Sequence, residues 1–259
     1  PATRCSGERP QGCPVAVEAE GDRAHIYAMI TLTPILAAIV LGLGMWWFST
    51  LRLKSQLDAQ STELTDPLLT TYTRDMAKAL ELPRLGVYVY EVPTINGLAA
   101  PDGRIFITRG FLDKYRLGAV RAEEMASVIA HELGHVALGH SRRRMLDFTG
   151  QNAIRVVLTM VLGRFIPFVG PWIANLLTTA LAARLSRQDE YEADAYAAAL
   201  MTKIGLGTRP QVSLFRKLES LAGGGPGTLA WLMSHPRTDD RIAAIERMSA
   251  AWEGTPAQR

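Results

Sequence analysis

Between positions 131 and 140 the chain reads HELGHVALGH, which places three of its five histidines within ten residues. On an α-helix each residue advances about 100°, so His131 and His135 end about 40° apart and share a face. His140, five positions past His135, is turned about 140° from it on the same helix and points away. The stretch therefore holds two imidazoles one turn apart with Glu132 directly after the first. Any third group that meets them must arrive from elsewhere in the chain.

Two imidazoles so placed can grip a divalent cation, and Glu132 stands close enough to work on water bound to it. An ordinary amphipathic helix with two polar neighbours gives the same letters, so a second signal is needed. The segment SRQDEYEADAYAAAL, 186–200, supplies one. It is a helix candidate on which Glu190 and Asp194 share a face, while Glu192, about 200° from Glu190, turns elsewhere. Zinc in a hydrolase usually keeps three protein ligands and one open position. One of the two carboxylates can bind the metal while the other holds a ligand histidine by a hydrogen bond. A solvated acidic face is the plain alternative for this segment.

At 259 residues the chain can hold one domain of about 200 residues plus attachments. It begins on Pro1 and not on Met, which reads as a trimmed or partial chain. A net charge of +3 gives no case for a nucleic-acid partner. Cys5 and Cys13 both lie in the leading tail, 1–25, and cannot build a zinc site by themselves. From 26 to 48 the chain carries no charge, enough to cross a hydrocarbon layer of about 30 Å. A transmembrane helix is expected there, with Trp46 and Trp47 at its interfacial end and a polar juxtamembrane linker at 49–65. A cleaved signal peptide and a buried core helix are the competing explanations of the run. Arg52 and Lys54 follow the span without a nearby acid, which leans towards a cytoplasmic domain on a single-pass protein of a bacterial-type inner membrane. The Arg142–Arg144 run suits an anionic leaflet, or equally a helix C-terminus.

The remaining chain, 66–259, reads as α+β. Asp66-Pro67 gives an N-cap and a first-turn proline, and Leu68, Leu69, Tyr72, Met76 and Leu80 recur at helical spacing until Leu82-Pro83. Val87–Tyr90, Ile95–Ala99 and Arg104–Thr108 are strand candidates that form a small sheet, expected antiparallel, ahead of a helix predicted from about Val120 to His140. A second apolar region, 153–183, is interrupted by Arg155 and Arg164 and divided by Pro167, Gly170 and Pro171. Its two arms of about 13 residues fall short of a span, so a helical hairpin is expected, packed on the domain or dipping into the interface.

HExxH at 131–135 followed by Ser186-Arg-Gln-Asp-Glu-Tyr-Glu-Ala-Asp194 resembles the M48 family of integral-membrane zinc metallopeptidases, which includes HtpX-like heat-shock proteases and CaaX prenyl proteases. Asn96-Gly-Leu-Ala99 with the run from Gly103 to Gly110, and Ser234-His-Pro-Arg-Thr-Asp-Asp-Arg241, are similar to the family's strand segment and C-terminal S-H-P motif. The resemblance covers roughly 66–248. It implies a mostly helical zincin-like (gluzincin) domain and one Zn2+ per chain bound by His131, His135 and Glu190. It further implies Glu132 as general base and acid, Asp194 supporting a ligand, and His235 assisting the transition state. One leading span departs from both subgroups: HtpX-like members usually have more than one and CaaX proteases several, which argues against a prenyl-protein substrate.

The expected function is a membrane-anchored zinc endopeptidase of the kind used in protein quality control, cleaving membrane or misfolded polypeptides, with the lipid bilayer as its other partner. Asn96, Gly97, Leu98 and Ala99 can pair with an extended substrate along a sheet edge, giving weak sequence specificity, or can be wholly paired within the sheet. The glycine-rich 223–227 run reads as a gating loop or a linker. A catalytically silent, metal-stabilised adaptor or chaperone-like module is the alternative, and a zinc hydrolase of small molecules a third; the intact Glu132 counts against the adaptor.

Overall fold

A computed structural model describes residues 15–100, 102–221, 235 and 239–253. Two compact units result, Pro1–Ser55 and Gln56–Arg259. The first contributes most of helix α1, Val15–Ala59. Among the described residues no helix is long and apolar enough to cross a membrane. The expected span at 26–48 lies partly outside them: side chains are described at 36, 37 and from 39 onward, where Leu36, Ile39 to Leu41, Leu43 and Met45 to Phe48 are exposed. Cys5, Cys13, the 223–227 run, Ser234 and Pro236 also lie outside the described residues.

The second unit is mostly helical around a four-stranded sheet of β1 (Ser61–Glu63), β2 (Val87–Tyr90), β3 (Gly97–Ala99) and β4 (Ile105–Thr108), in the order β1-β2-β4-β3. The sheet is mixed and not antiparallel as expected. β1 and β3 pair antiparallel with their neighbours, but β2 and β4 run parallel. Parallel pairing requires a crossover, and here residues 91–104 provide it, with β3 returning to the far side of β4. Residues 56–63, within the segment read as a linker, are the end of α1 and strand β1. Gln56 donates to the Tyr90 hydroxyl at 2.7 Å, and Asp58 pairs with Arg104 at 2.7 Å.

The centre of the sheet explains why β4 reads IFIT and not as an alternating strand. Ile105 and Ile107 face a cluster that holds Met125 and Ile129, while Phe106 faces a second one with Leu57 and Ala100. With both faces covered, the strand is apolar on both sides, and its one polar residue, Thr108 at the end, is buried with its hydroxyl bonded to the Asn96 backbone.

Helix α2, Pro67–Ala79, starts as the sequence predicts, with Asp66 accepting from the amides of Leu68 and Leu69. After α3, Arg109–Arg116, comes α4, Ala122–Ala137, buried along almost its whole length. Its capping Glu124 is fully buried and accepts from Arg121 N at 2.8 Å, Ser213 Oγ at 2.6 Å and Lys217 Nζ at 2.9 Å. These contacts tie α4 to α7, Arg209–Leu221. Helix α8, Asp239–Glu253, completes the described elements and packs on α6 and α7.

Two expectations about helix lengths are corrected. The helix placed at 120–140 stops at Ala137, because Gly139 takes a left-handed conformation (φ 67°) and α5, His140–Phe165, begins afresh. The hairpin arms are far longer than 13 residues. α5 has 26 and α6, Gly170–Lys203, has 34, so the apolar arm and the acidic 186–200 segment form one helix. Pro171 falls in the first turn of α6, where its missing N–H costs nothing.

Candidate metal centre

Helix α6 crosses α4 at close range because position 134 is glycine. A Cβ there would stand 3.1 Å from both Cα and O of Ala193, tighter than ordinary contact. The small residues Ala193 and Ala197, both buried, complete the approach. Glu190 and Asp194 thereby reach the two imidazoles that α4 presents one turn apart.

The donor atoms converge. His131 Nε2 lies 3.2 Å from His135 Nε2 and 3.4 Å from Glu190 Oε2, and His135 Nε2 lies 3.5 Å from Glu190 Oε1. A tetrahedral ion with ligand bonds of about 2.0–2.1 Å needs donor separations of about 3.3–3.4 Å. Two ring nitrogens and a carboxylate facing one point at that spacing fit a divalent cation. All three residues are buried. His235 enters the same group: its Nδ1 is 2.8 Å from Glu190 Oε2 and 3.3 Å from His131 Nε2. Its other nitrogen, Nε2, stands 3.4 Å from Oε1 of the buried Glu132.

Asp194 takes up His131 from behind, with Oδ1 2.9 Å from Nδ1. That contact leaves Nε2 turned to the point where the donor atoms converge and fixes the ring plane. Arg241 binds Asp194 through Nε at 2.6 Å and Nη2 at 2.9 Å, and reaches Glu190 at 3.3 Å. Burial alone would raise the carboxyl pKa of Asp194, but the Arg241 and His131 contacts outweigh it and lower the value. The same opposition governs Glu190, lowered by His131 and His235 against desolvation. Without metal, desolvation would lower His131, yet the hydrogen bonds it donates to Asp194 and Glu190 bring it up to about 9.

Arg241 ends the S-H-P motif, but nothing in the sequence assigns it a role. Its buried position, stacked 4.7 Å from the Phe215 ring centroid, depends on α8 packing against α6 and α7 and has no local signature. A single helix continued through His140 would carry it away from His135. The break at Gly139 returns it to His135, with the two Nδ1 atoms 2.7 Å apart. Glu192, expected to turn away from Glu190, faces His140.

Of the expected substrate residues, Gly97, Leu98 and Ala99 form β3, which among the described residues is an edge strand paired with β4 alone, lying against α4. Asn96 just precedes it. Its N–H and C=O bond to the Thr108 hydroxyl at 2.9 Å, and its C=O also accepts from Thr108 N at 3.0 Å.

Comparison with known proteins agrees with this geometry. The profile described as Peptidase family M48 matches residues 63–249. The chain is 29% identical to Metalloprotease LoiP of Escherichia coli over 183 residues, 70% of each protein. It is 31% identical to Metalloprotease YcaL of the same organism over 61% of this chain and 59% of YcaL. It is 25% identical to human mitochondrial Metalloendopeptidase OMA1 over 62% of this chain and only 32% of that protein. On the strength of a family match that spans both the HExxH helix and the acidic segment crossing it, the chain belongs to peptidase family M48 and is a zinc metalloendopeptidase.

Proposed function

We propose that the chain is a membrane-anchored endopeptidase that cleaves membrane or misfolded polypeptides, with His131, His135 and Glu190 holding one zinc ion and Glu132 as general base and acid. The single observation that carries this reading is the convergence of two ring nitrogens, 3.2 Å apart, on the Glu190 carboxylate, whose Oε2 lies 3.4 Å from His131 Nε2 and whose Oε1 lies 3.5 Å from His135 Nε2. A bound zinc ion would polarise the scissile carbonyl and bring the pKa of its water to about 7. Glu132 takes a proton from the attacking water and delivers it to the leaving amine. His235, within 3.4 Å of Glu132, donates towards the oxygen on which negative charge develops. An extended substrate adds to the free edge of β3, bonding through its main chain beside α4.

Membrane attachment draws support from the uncharged 26–48 run and from the α5–α6 hairpin. No Asp or Glu occurs between Asp147 and Asp189, while Arg155, Arg164, Arg184 and Arg187 do. At the hairpin tip Phe165, Phe168 and Trp172 are 77%, 97% and 65% exposed. Large apolar side chains at such exposure, flanked by cations, suit an anionic lipid surface better than water. Cytoplasmic orientation at a bacterial-type inner membrane is the topology that Arg52 and Lys54 favour.

One observation favours a second reading, the silent metal-stabilised module. With His235 counted, four protein donors lie within 4.8 Å of one another, and a closed four-ligand set is typical of structural zinc. Two substitutions separate the readings. In the enzyme, Glu132→Gln keeps one zinc per chain and lowers casein or peptide cleavage by about 10²–10⁴-fold, and His235→Phe lowers turnover without loss of metal. In the silent module, chelator-sensitive cleavage is absent from the wild type and His235→Phe releases zinc. Undiminished hydrolysis by Glu132→Gln refutes the mechanism.

A further inference from the structure

We propose that His140 is the positioning residue for His135, held in one tautomer by Glu192, and that Arg143 anchors the pair; this rests on the zinc reading above. His135 turns Nε2 to the metal position, which leaves Nδ1 facing Nδ1 of His140 at 2.7 Å. Two ring nitrogens at that distance share a single proton. A neutral His135 that binds metal through Nε2 carries its proton on Nδ1, so His135 donates and His140 accepts. His140 then carries its own proton on Nε2, where Glu192 Oε2 waits at 3.2 Å and Asp189 Oδ1 lies at 3.9 Å. Arg143 Nη1 binds Glu192 Oε2 at 2.9 Å and Asp189 Oδ1 at 3.2 Å, and Gln188 donates to Glu192 Oε1 at 2.9 Å.

His140, Asp189 and Glu192 lie close enough to be a cation site of their own. Arg143 already supplies the positive charge between the two carboxylates, so a second ion is not required. The arrangement instead mirrors the support of the other ligand. His131 is backed by Asp194 and Arg241, and His135 by His140, Glu192 and Arg143. Both imidazoles are thus aimed by a hydrogen-bonded train that ends in an arginine. Gly139 makes the second train possible, since a helix continued through it would carry His140 away from His135.

The test uses the full chain purified in detergent. Zinc affinity is measured by competition with a chromophoric chelator for wild type, His140→Leu and His140→Gln. His140→Leu removes the acceptor and is expected to raise the zinc dissociation constant about 10–100-fold. His140→Gln restores an acceptor oxygen and should recover most of that loss. The visible absorption of the cobalt-substituted protein should shift in His140→Leu and return towards wild type in His140→Gln, a response that loss of packing alone does not produce. Wild-type affinity and spectrum in His140→Leu, or a His140→Gln no better than His140→Leu, would overturn the proposal. Should His140→Leu fail to fold, nitrogen-15 histidine NMR of the zinc-loaded wild type decides: His140 protonated on Nε2 supports the proposal, and protonation on Nδ1 sinks it. A wild type that binds no zinc defeats the metal reading itself, whereas normal wild-type binding with an insensitive His140→Leu defeats only this inference.

Discussion

The two halves of α6 invert the usual relation between chemistry and burial. From Asp189 to Met201 the helix buries Asp189, Glu190 and Asp194 along with Ala193, Ala197, Ala198 and Leu200. From Gly170 to Leu181 it buries only Gly170, Ala174 and Thr178, and leaves Trp172, Leu176, Leu177 and Leu181 exposed. One helix thus hides its carboxylates and shows its large apolar groups. The cause lies in the partners: the second half crosses α4, where cations and imidazoles repay the desolvation of each carboxylate, while the first half meets α5 along a narrow seam of small residues. Burial of charge at one end and exposure of hydrocarbon at the other are what the proposed metal site and the proposed lipid surface would each require of the helix.

The contrast breaks most readily at Arg241. Removing it strips Asp194 and Glu190 of their guanidinium and leaves two buried carboxylates to share the His131 imidazole, so Arg241→Ala should cost about 3–5 kcal/mol of metal-free stability, read from denaturant unfolding. A loss below about 1 kcal/mol would mean that the carboxylates are neutralised by other means. At the opposite end of α6, the fluorescence of Trp172, taken as the difference between wild type and Trp172→Phe, should be quenched by brominated acyl chains in anionic vesicles. Equal quenching in the two proteins would place the hairpin in water and remove lipid from the comparison.

Smaller effects sharpen it. Gly134→Ala inserts a methyl against the Ala193 backbone, so the helices must part; a destabilisation of about 1–3 kcal/mol with weakened zinc retention is expected. A stable variant with unchanged metal affinity would show that the crossing has slack. Glu124 offers a pH handle away from the metal. Burial would raise its carboxyl, but the Arg121 amide, Lys217 and Ser213 hold it below the ordinary value. Its stabilising contribution is therefore present above the unfolded pKa of about 4.3 and lost as pH falls through the lower folded one. Unfolding free energy should decline on acidification through that window, and the decline should be shallower in Glu124→Gln.

Much of the site was legible because it is periodic. Two histidines at i and i+4, and two carboxylates at i and i+4, define faces whatever the tertiary structure, and Asp66-Pro67 marks a helix start by its own chemistry. What escaped depends on contacts between distant elements or on one backbone angle. The positive φ of Gly139 leaves no trace in a pattern that continues smoothly through it, so helical periodicity alone turns His140 away from His135. Arg241 reads as an ordinary surface cation until α8 folds onto α6. The parallel pairing of β2 with β4 is set by where β3 returns, which strand composition does not reveal. Prolines divide the apolar run and make the hairpin arms read as short, yet Pro171 sits where a helix begins and not where one ends.

Zinc analysis of Glu190→Ala beside wild type and Glu132→Gln tests the central claim most directly. One zinc per chain in wild type and Glu132→Gln, with stoichiometric zinc absent from Glu190→Ala, is the predicted result. Full zinc occupancy in a folded Glu190→Ala would contradict the convergence of α4 and α6 on one ion.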